Sequence, residues 1–327
     1  IASVTGSSIT SCSESFLDEN LTTQYSTDRF KTQEGLDELV TGAYQKLKFK
    51  FNYIWGIQCY NMGVDEFTDA NNVIPAWNHY SQDLNSSENG ANQPIWDNYY
   101  GLVEPANILI QNIPQYYNQS SPTYKTRLGE AHFLRAYAYF ELVKQFGGVP
   151  LKLAPSTSAE TYFTRNSAEE IYTQVISDFG EAYRLLPDKG ESIGRINKYA
   201  AAHFLAKAHL FRASELYSDW NSNYVASDLD AVIQYGSEVV DAHPLCSDYV
   251  ELWDYEQPNG ANEKVSEVIL AAQFSNDEST WGRFGNQMHL YYPAVYQGND
   301  IGGCKRDISG GREFSYVSAT EYTMQVF

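Results

Sequence analysis

Glu130-Ala131-His132-Phe133-Leu134-Arg135-Ala136-Tyr137-Ala138-Tyr139-Phe140, followed shortly by Phe146-Gly147-Gly148-Val149-Pro150-Leu151, is the stretch that decides the fold. Around it, Arg127, Leu128, Ala131, Leu134, Arg135, Ala138 and Leu142 recur at three- and four-residue spacing, the period of an α-helix. Thr123 stands where an N-cap is expected. Gly147-Gly148 with Pro150 behind it supplies the stop. Alanines beside large rings (Ala136, Tyr137, Ala138, Tyr139, Phe140) let a second helix approach at the small positions, which suits helices stacked in antiparallel pairs.

The same phrase recurs. Ala202-His203-Phe204-Leu205 repeats Ala131-His132-Phe133-Leu134 seventy-one residues later, and Phe211 answers Phe140. That offset is close to two units of the ~34-residue tetratricopeptide repeat. His132 and His203 occupy matching positions, which predicts a packing role for both. Other helices follow from the same signals. Leu36, Leu39, Val40, Ala43, Tyr44 and Leu47 form one apolar stripe over Gln33 to Lys48. Pro94 precedes a helix from about Ile95 to Ile113 that is expected to stop at Pro114 and to kink or break at Pro105. Ser167 and Glu170 make a capping box for a helix running to about Leu186. Asn197 caps another to about Tyr217, and Asp228 is expected to open one ending near His243-Pro244. Beyond residue 244 the texture changes. Val265 to Phe274 reads as a short strand, and from Ser275 onward Gly, Asn, Asp and aromatic residues follow no period.

The chain of 327 residues carries 22 Lys+Arg against 41 Asp+Glu, a formal net charge of −19. Such a surface repels a phosphate backbone and anionic lipid, so nucleic acid is not a partner. Charged residues are only 19% of the chain while aromatics reach 15%, with 26 Tyr, 16 Phe and 6 Trp. That is a surface kept soluble by net charge and able to show rings to something uncharged. No stretch approaches the ~20 apolar residues of a membrane span. Ile9-Thr10-Ser11-Cys12 resembles the lipobox of bacterial lipoproteins, which makes Cys12 the expected lipidation site. Cys59, Cys246 and Cys304 match no zinc or redox spacing; at most one disulfide can form among them, and buried free thiols are the expected reading.

The sequence holds no nucleophile elbow, P-loop, zinc-protease or dinucleotide motif, so an enzyme is not expected. Asp65, Glu66, Asp69 and Asn71 are oxygen-rich but lack the glycine and spacing of a calcium loop; they read as a solvated helix end, and no metal or cofactor is predicted. The positive signal is aromatic loops. A sugar offers an apolar C–H face and a hydroxylated rim, which Trp and Tyr rings and amide side chains complement. Trp77 and Tyr80 in the first long loop, and Trp281, Asn286, Tyr291 and Tyr292 in the late one, are the candidate ligand-binding residues. Trp55 and Trp96 are assigned to packing.

Together these landmarks resemble the SusD/RagB family of glycan-binding outer-membrane lipoproteins of Bacteroidetes. The resemblance rests on Cys12 with Phe16-Leu17-Asp18, Asp65-Glu66, Trp96-Asp97-Asn98-Tyr99-Tyr100 leading to Ala106-Asn107, and above all Arg135 through Pro150. Tyr199-Ala200-Ala201 to Ala206-Lys207-Ala208 and Gly311-Arg312 before Thr320-Glu321-Tyr322 continue it. The resemblance implies a mostly α scaffold of tetratricopeptide-like pairs with a loop-rich glycan-binding face. It implies oligosaccharide or polysaccharide as ligand, a SusC-like TonB-dependent transporter as partner, and a lipid-anchored place on the outer membrane. Members of the family are usually longer, so the chain is expected to be truncated. The expected division is a lipoprotein tail (1–30), a helical scaffold (31–245) and the start of the loop-rich region (246–327). A tetratricopeptide-type adaptor binding a peptide or protein is the alternative, and a glycosidase a third class.

Overall fold

The computed structural model of the protein describes residues 27–52, 54–69, 75–85, 90–253, 264–274 and 317–326. Its frame is helical: α1 (Gln33–Ala43), α2 (Phe49–Asn52), α3 (Ile54–Asn61), α4 (Pro75–His79), α5 (Gln93–Tyr116), α6 (Tyr124–Phe146), α7 (Ala168–Leu185), α8 (Lys198–Arg212), α9 (Val225–Ala242) and α10 (Glu321–Val326). From α5 to α9 each helix packs on the next, and α1 lies against α5. The seven residues between α5 and α6 are too few to run back along a helix of ~36 Å, so the chain reverses there and the two helices pair antiparallel. This is a mostly α fold of stacked helical pairs. Two three-residue strands, β1 (Phe67–Asp69) and β2 (Val317–Ala319), pair antiparallel with Phe67 opposite Ala319.

The deciding stretch forms the central helix. Every residue from Phe133 to Val143 is buried, because α6 has neighbours on all sides. The repeated phenylalanines meet across the stack: the Phe133 and Phe204 ring centroids lie 5.4 Å apart, as do those of Phe140 and Phe211. Only α7 stands between α6 and α8 in the chain, so the seventy-one-residue offset is one helix pair lengthened by the 147–167 connection, not two units. The histidines also part company. His132 bonds Asp178 (2.7 Å), while His203 lies half-buried beside the Phe204 ring. The electrostatic repeat is His-x-x-Arg instead. Asp178 of α7 takes His132 and a bidentate Arg135 (2.8 and 2.8 Å); Asp228 of α9 takes His209 (2.6 Å) and a bidentate Arg212 (2.8 and 2.7 Å).

Several local expectations are corrected by packing. Helix α5 runs unbroken through both Pro105 and Pro114. Each proline costs ~3 kcal/mol in a helix interior. Against this, Ile95, Leu102, Val103, Leu109 and Ile113 are at most 2% exposed, a burial on the order of 10 kcal/mol. The first helix tightens into a 3-10 turn over Tyr44–Lys48, where the Tyr44 hydroxyl donates to buried Glu130 (2.6 Å) and accepts the Ile196 N–H (3.0 Å). Thr123 precedes α6 but makes no side-chain cap; its hydroxyl bonds Ser121 and Tyr117 instead. Asp228 does not open α9, which starts at Val225, because its carboxylate is committed to α8. Helix α8 ends at Arg212, with a separate 3-10 turn at Glu215–Tyr217. Residues 265–274 form no strand. Ile269 and Leu270 pack on the core as irregular chain, and Asn197 donates to the Ile269 carbonyl (3.2 Å). The Ser167–Glu170 capping box, the Asn197 cap and the Gly147 stop form as the sequence predicts.

Candidate functional site

The loop between α3 and α5 is built around Gly63. Its φ of 73° lies in the left-handed region, and a Cβ there would fall 2.6 Å from the Trp77 carbonyl. Tyr80, just past α4, is the one non-glycine residue with positive φ among the described residues, at 50°. Bulky residues rarely hold that conformation, and such strain collects at functional sites. The Tyr80 hydroxyl donates to the Gly63 carbonyl, so the strained residue closes the loop on the glycine. Asn78 fixes the other side: its Oδ1 accepts from the Thr68 hydroxyl and the Asp69 N–H, both at 3.1 Å. Thr320 and Thr323, beside β2 and in α10, donate to the Asp65 and Glu66 carbonyls. Two distant parts of the chain thus hold one short loop.

Among the predicted residues, the structure separates Trp77 from Tyr80. Trp77 is half-buried against the core, with its indole Nε1 buried and without an acceptor among the described residues. Tyr80 is 73% exposed. Trp281, Asn286, Tyr291, Tyr292 and Cys12 lie outside the described residues. Trp96 packs on Tyr100 and Phe146, at centroid distances of 4.6 and 5.3 Å. Trp55 falls within α3, but its side chain is outside the description. Asp65 and Glu66 lie past the end of α3 with exposed side chains, and among the described residues no group of three or more His, Cys, Asp or Glu could hold a metal. Cys59 and Cys246 are free thiols, and burial pushes Cys59 up to about 12, which leaves it inert at neutral pH.

A cavity of about 930 Å³ opens elsewhere, between the Tyr44–Lys48 turn, α8 and residues 267–273. Phe133, Tyr137 and Phe204 line it, with Lys48, Lys50 and His203 among its polar groups. Burial, aided by nearby Lys207, lowers His203 below its ordinary value, so it stands there as neutral imidazole. Lys50 reaches past the wall to Glu141 (2.8 Å), which Lys144 also bonds (3.0 Å). Burial alone would raise the Glu141 carboxyl; the two ammonium groups overcome it and hold it below its ordinary value. Sequence reasoning missed this cavity, because residues from five separate segments meet in it. It also missed Tyr249 and Trp253, whose i, i+4 spacing was the available signal.

A family described as SusD-like, starch-binding and associating with the outer membrane matches residues 15–210. The chain belongs to this family. SusD-like protein P38 of Formosa agariphila is 29% identical over 210 residues, covering 62% of this chain and 40% of its own. A crystal structure with xylogluco-oligosaccharide has the same fold at a TM-score of 0.66 and 21% identity, over 88% of this chain and 53% of that one. A laminarin-binding SusD-like protein follows at 0.62 and 21%, over 80% and 57%. The chain therefore spans about half the length of the SusD-like proteins it matches.

Proposed function

We propose that the protein binds neutral oligosaccharide or polysaccharide without cleaving it, at the cell surface, and passes it to a SusC-like TonB-dependent transporter. A lipid on Cys12 would hold it to the outer membrane. The observation that carries the reading is the pinned loop of Gly63, Asn78 and Tyr80 in a SusD-like chain. It presents a ring in a strained conformation that the core does not require. Xylogluco-oligosaccharide and laminarin, recorded for two structures of this fold, support a glycan as the ligand class. Neutrality follows from charge: Asp65, Glu66 and Asp83 flank the loop in a chain of net charge −19, which disfavours uronic acids and sulfated sugars.

The test is a glycan array of the lipid-free protein beside a Trp77→Ala/Trp281→Ala double variant. Binding of neutral glycans that disappears in the variant supports both the class and the loops. Binding that persists keeps the class and moves the site. Absence of binding to every glycan removes the reading. The transporter step is tested by mild detergent extraction, where a large outer-membrane β-barrel should co-purify. One observation favours a second reading, a peptide-binding adaptor: the apolar cavity against α8 is of a size that takes side chains. A Phe204→Ala variant that leaves glycan binding intact but abolishes a protein interaction would favour it.

A further inference from the structure

We infer that Tyr249 and Trp253 form a second platform for neutral sugar rings, on a segment distinct from the Tyr80 loop; this rests on the glycan-binding reading above. Tyr249 opens a 3-10 turn, Tyr249–Leu252, that follows α9, and Trp253 is its C-cap. Their ring centroids lie 5.9 Å apart with an interplanar angle of 54°, so they form a shallow open V. Tyr249 is 70% and Trp253 64% exposed. Two adjoining exposed rings offer a flat apolar surface of the kind that receives the C–H face of a sugar.

The turn beneath them is held from several directions. The Asp248 carboxylate accepts the Val250 N–H (2.9 Å), and the Trp253 N–H closes on the Val250 carbonyl (2.9 Å). Upstream, the Cys246 N–H donates to Glu267 (2.9 Å) and the Ser266 hydroxyl donates to the Pro244 carbonyl (2.9 Å). Leu252 points the other way and lines the cavity. The rings are therefore presented on fixed backbone, which reduces the ordering a ligand must impose.

The chemistry around them selects the ligand. Exposed Asp248 and Glu251 stand beside the rings in sequence; Asp248 accepts the Val250 N–H and Glu251 the Ser247 hydroxyl (3.2 Å), and each carboxylate keeps lone pairs for a further donor. Stacking on a ring face suits a pyranose, and carboxylate acceptors suit its hydroxyls. The same carboxylates repel an anionic sugar. Two separated platforms would grip a polymer better than a short oligomer, because the second contact becomes intramolecular.

Affinity electrophoresis of the full chain in gels of soluble laminarin or xyloglucan, with calorimetry on their hexa- to octasaccharides, tests the proposal. Trp253→Ala/Tyr249→Ala should weaken polysaccharide retention about tenfold with an unchanged melting temperature, and Trp253→Phe should restore most of it. Carboxymethylated laminarin should be retained less than the neutral polymer. Unchanged retention in the double variant, while wild type binds, overturns this platform and leaves the general reading standing. Failure of wild type to bind any glycan, in these gels or on the array, removes the general reading, and the platform with it. Equal retention of the carboxymethylated polymer overturns the ligand class.

Discussion

Rings and carboxylates occur in both the helical stack and the loop segments, and the two regions use them in opposite ways. Within the stack, Phe133, Phe140, Phe179 and Phe204 meet edge to face or stacked at 5.3 to 6.3 Å, and each buried carboxylate among the described residues has its cation: Asp178 with Arg135, Asp228 with Arg212, Glu130 with Arg127 and Arg195, Glu141 with Lys50 and Lys144. Among the described residues these buried charges satisfy one another. On the loops, Tyr80, Tyr249 and Trp253 face water, and Asp65, Glu66, Asp248 and Glu251 are exposed. The difference teaches that aromatic content alone does not locate a binding face; the state of satisfaction of each group does.

Substitutions can break this contrast, and the largest effect belongs to the stack. Asp178→Ala leaves Arg135 buried without its counter-charge and should cost ~3–5 kcal/mol of stability. Urea denaturation should show it, with glycan affinity per folded molecule unchanged; a loss of affinity without loss of stability would contradict the division. Acid sharpens the same point. His132 and Arg135 overcome the upward push of burial and hold Asp178 below its ordinary 3.8, as the lysines hold Glu141 below 4.5. Both carboxylates therefore stabilise the fold fully above those values, and that contribution is lost as pH falls through the lower folded ones. The urea midpoint should stay level from neutral pH to about pH 5 and then decline. Glu141→Gln should lower the midpoint at pH 7 and flatten the decline.

Loop substitutions should do the reverse. Gly63→Ala forces a Cβ against the Trp77 carbonyl, at a left-handed φ that alanine resists. It should cost ~1–2 kcal/mol, measurable as a lower melting temperature, and weaken glycan binding by displacing Tyr80. Tyr80→Gly is the mildest in stability. Relief of the positive φ offsets the lost hydroxyl bond to Gly63, so the melting temperature should move by no more than the equivalent of ~1 kcal/mol. Affinity should nonetheless fall.

The stack was legible in the sequence because its signals are local and mutually consistent. Ser167–Glu170, Asn197 and Gly147 each mark a helix end through one residue's chemistry, and the block from Arg135 to Pro150 carries the family resemblance. Where reading failed, tertiary burial outweighed a local rule, as at Pro105, or a polar side chain was claimed by another helix, as at Asp228. The His132–His203 match was a coincidence of spelling, while the physical repeat lay in His132-x-x-Arg135 and His209-x-x-Arg212. The loop face was only partly legible. Trp77 and Tyr80 are neighbours in sequence, but their opposite orientations depend on Gly63 and on Thr320, far along the chain. Tyr249 and Trp253 gave no sign that their rings stay in water, since exposure is set by what packs nearby.

The measurement that tests the central claim most directly is calorimetric titration of the full chain with neutral laminari- and xylogluco-oligosaccharides, using wild type, Tyr80→Gly and Phe133→Leu side by side. Saturable heat for wild type and Phe133→Leu, with at least a tenfold loss for Tyr80→Gly, is the predicted result. Equal affinity in Tyr80→Gly, or loss confined to the folded Phe133→Leu variant, would contradict the assignment of binding to the loops and support to the stack.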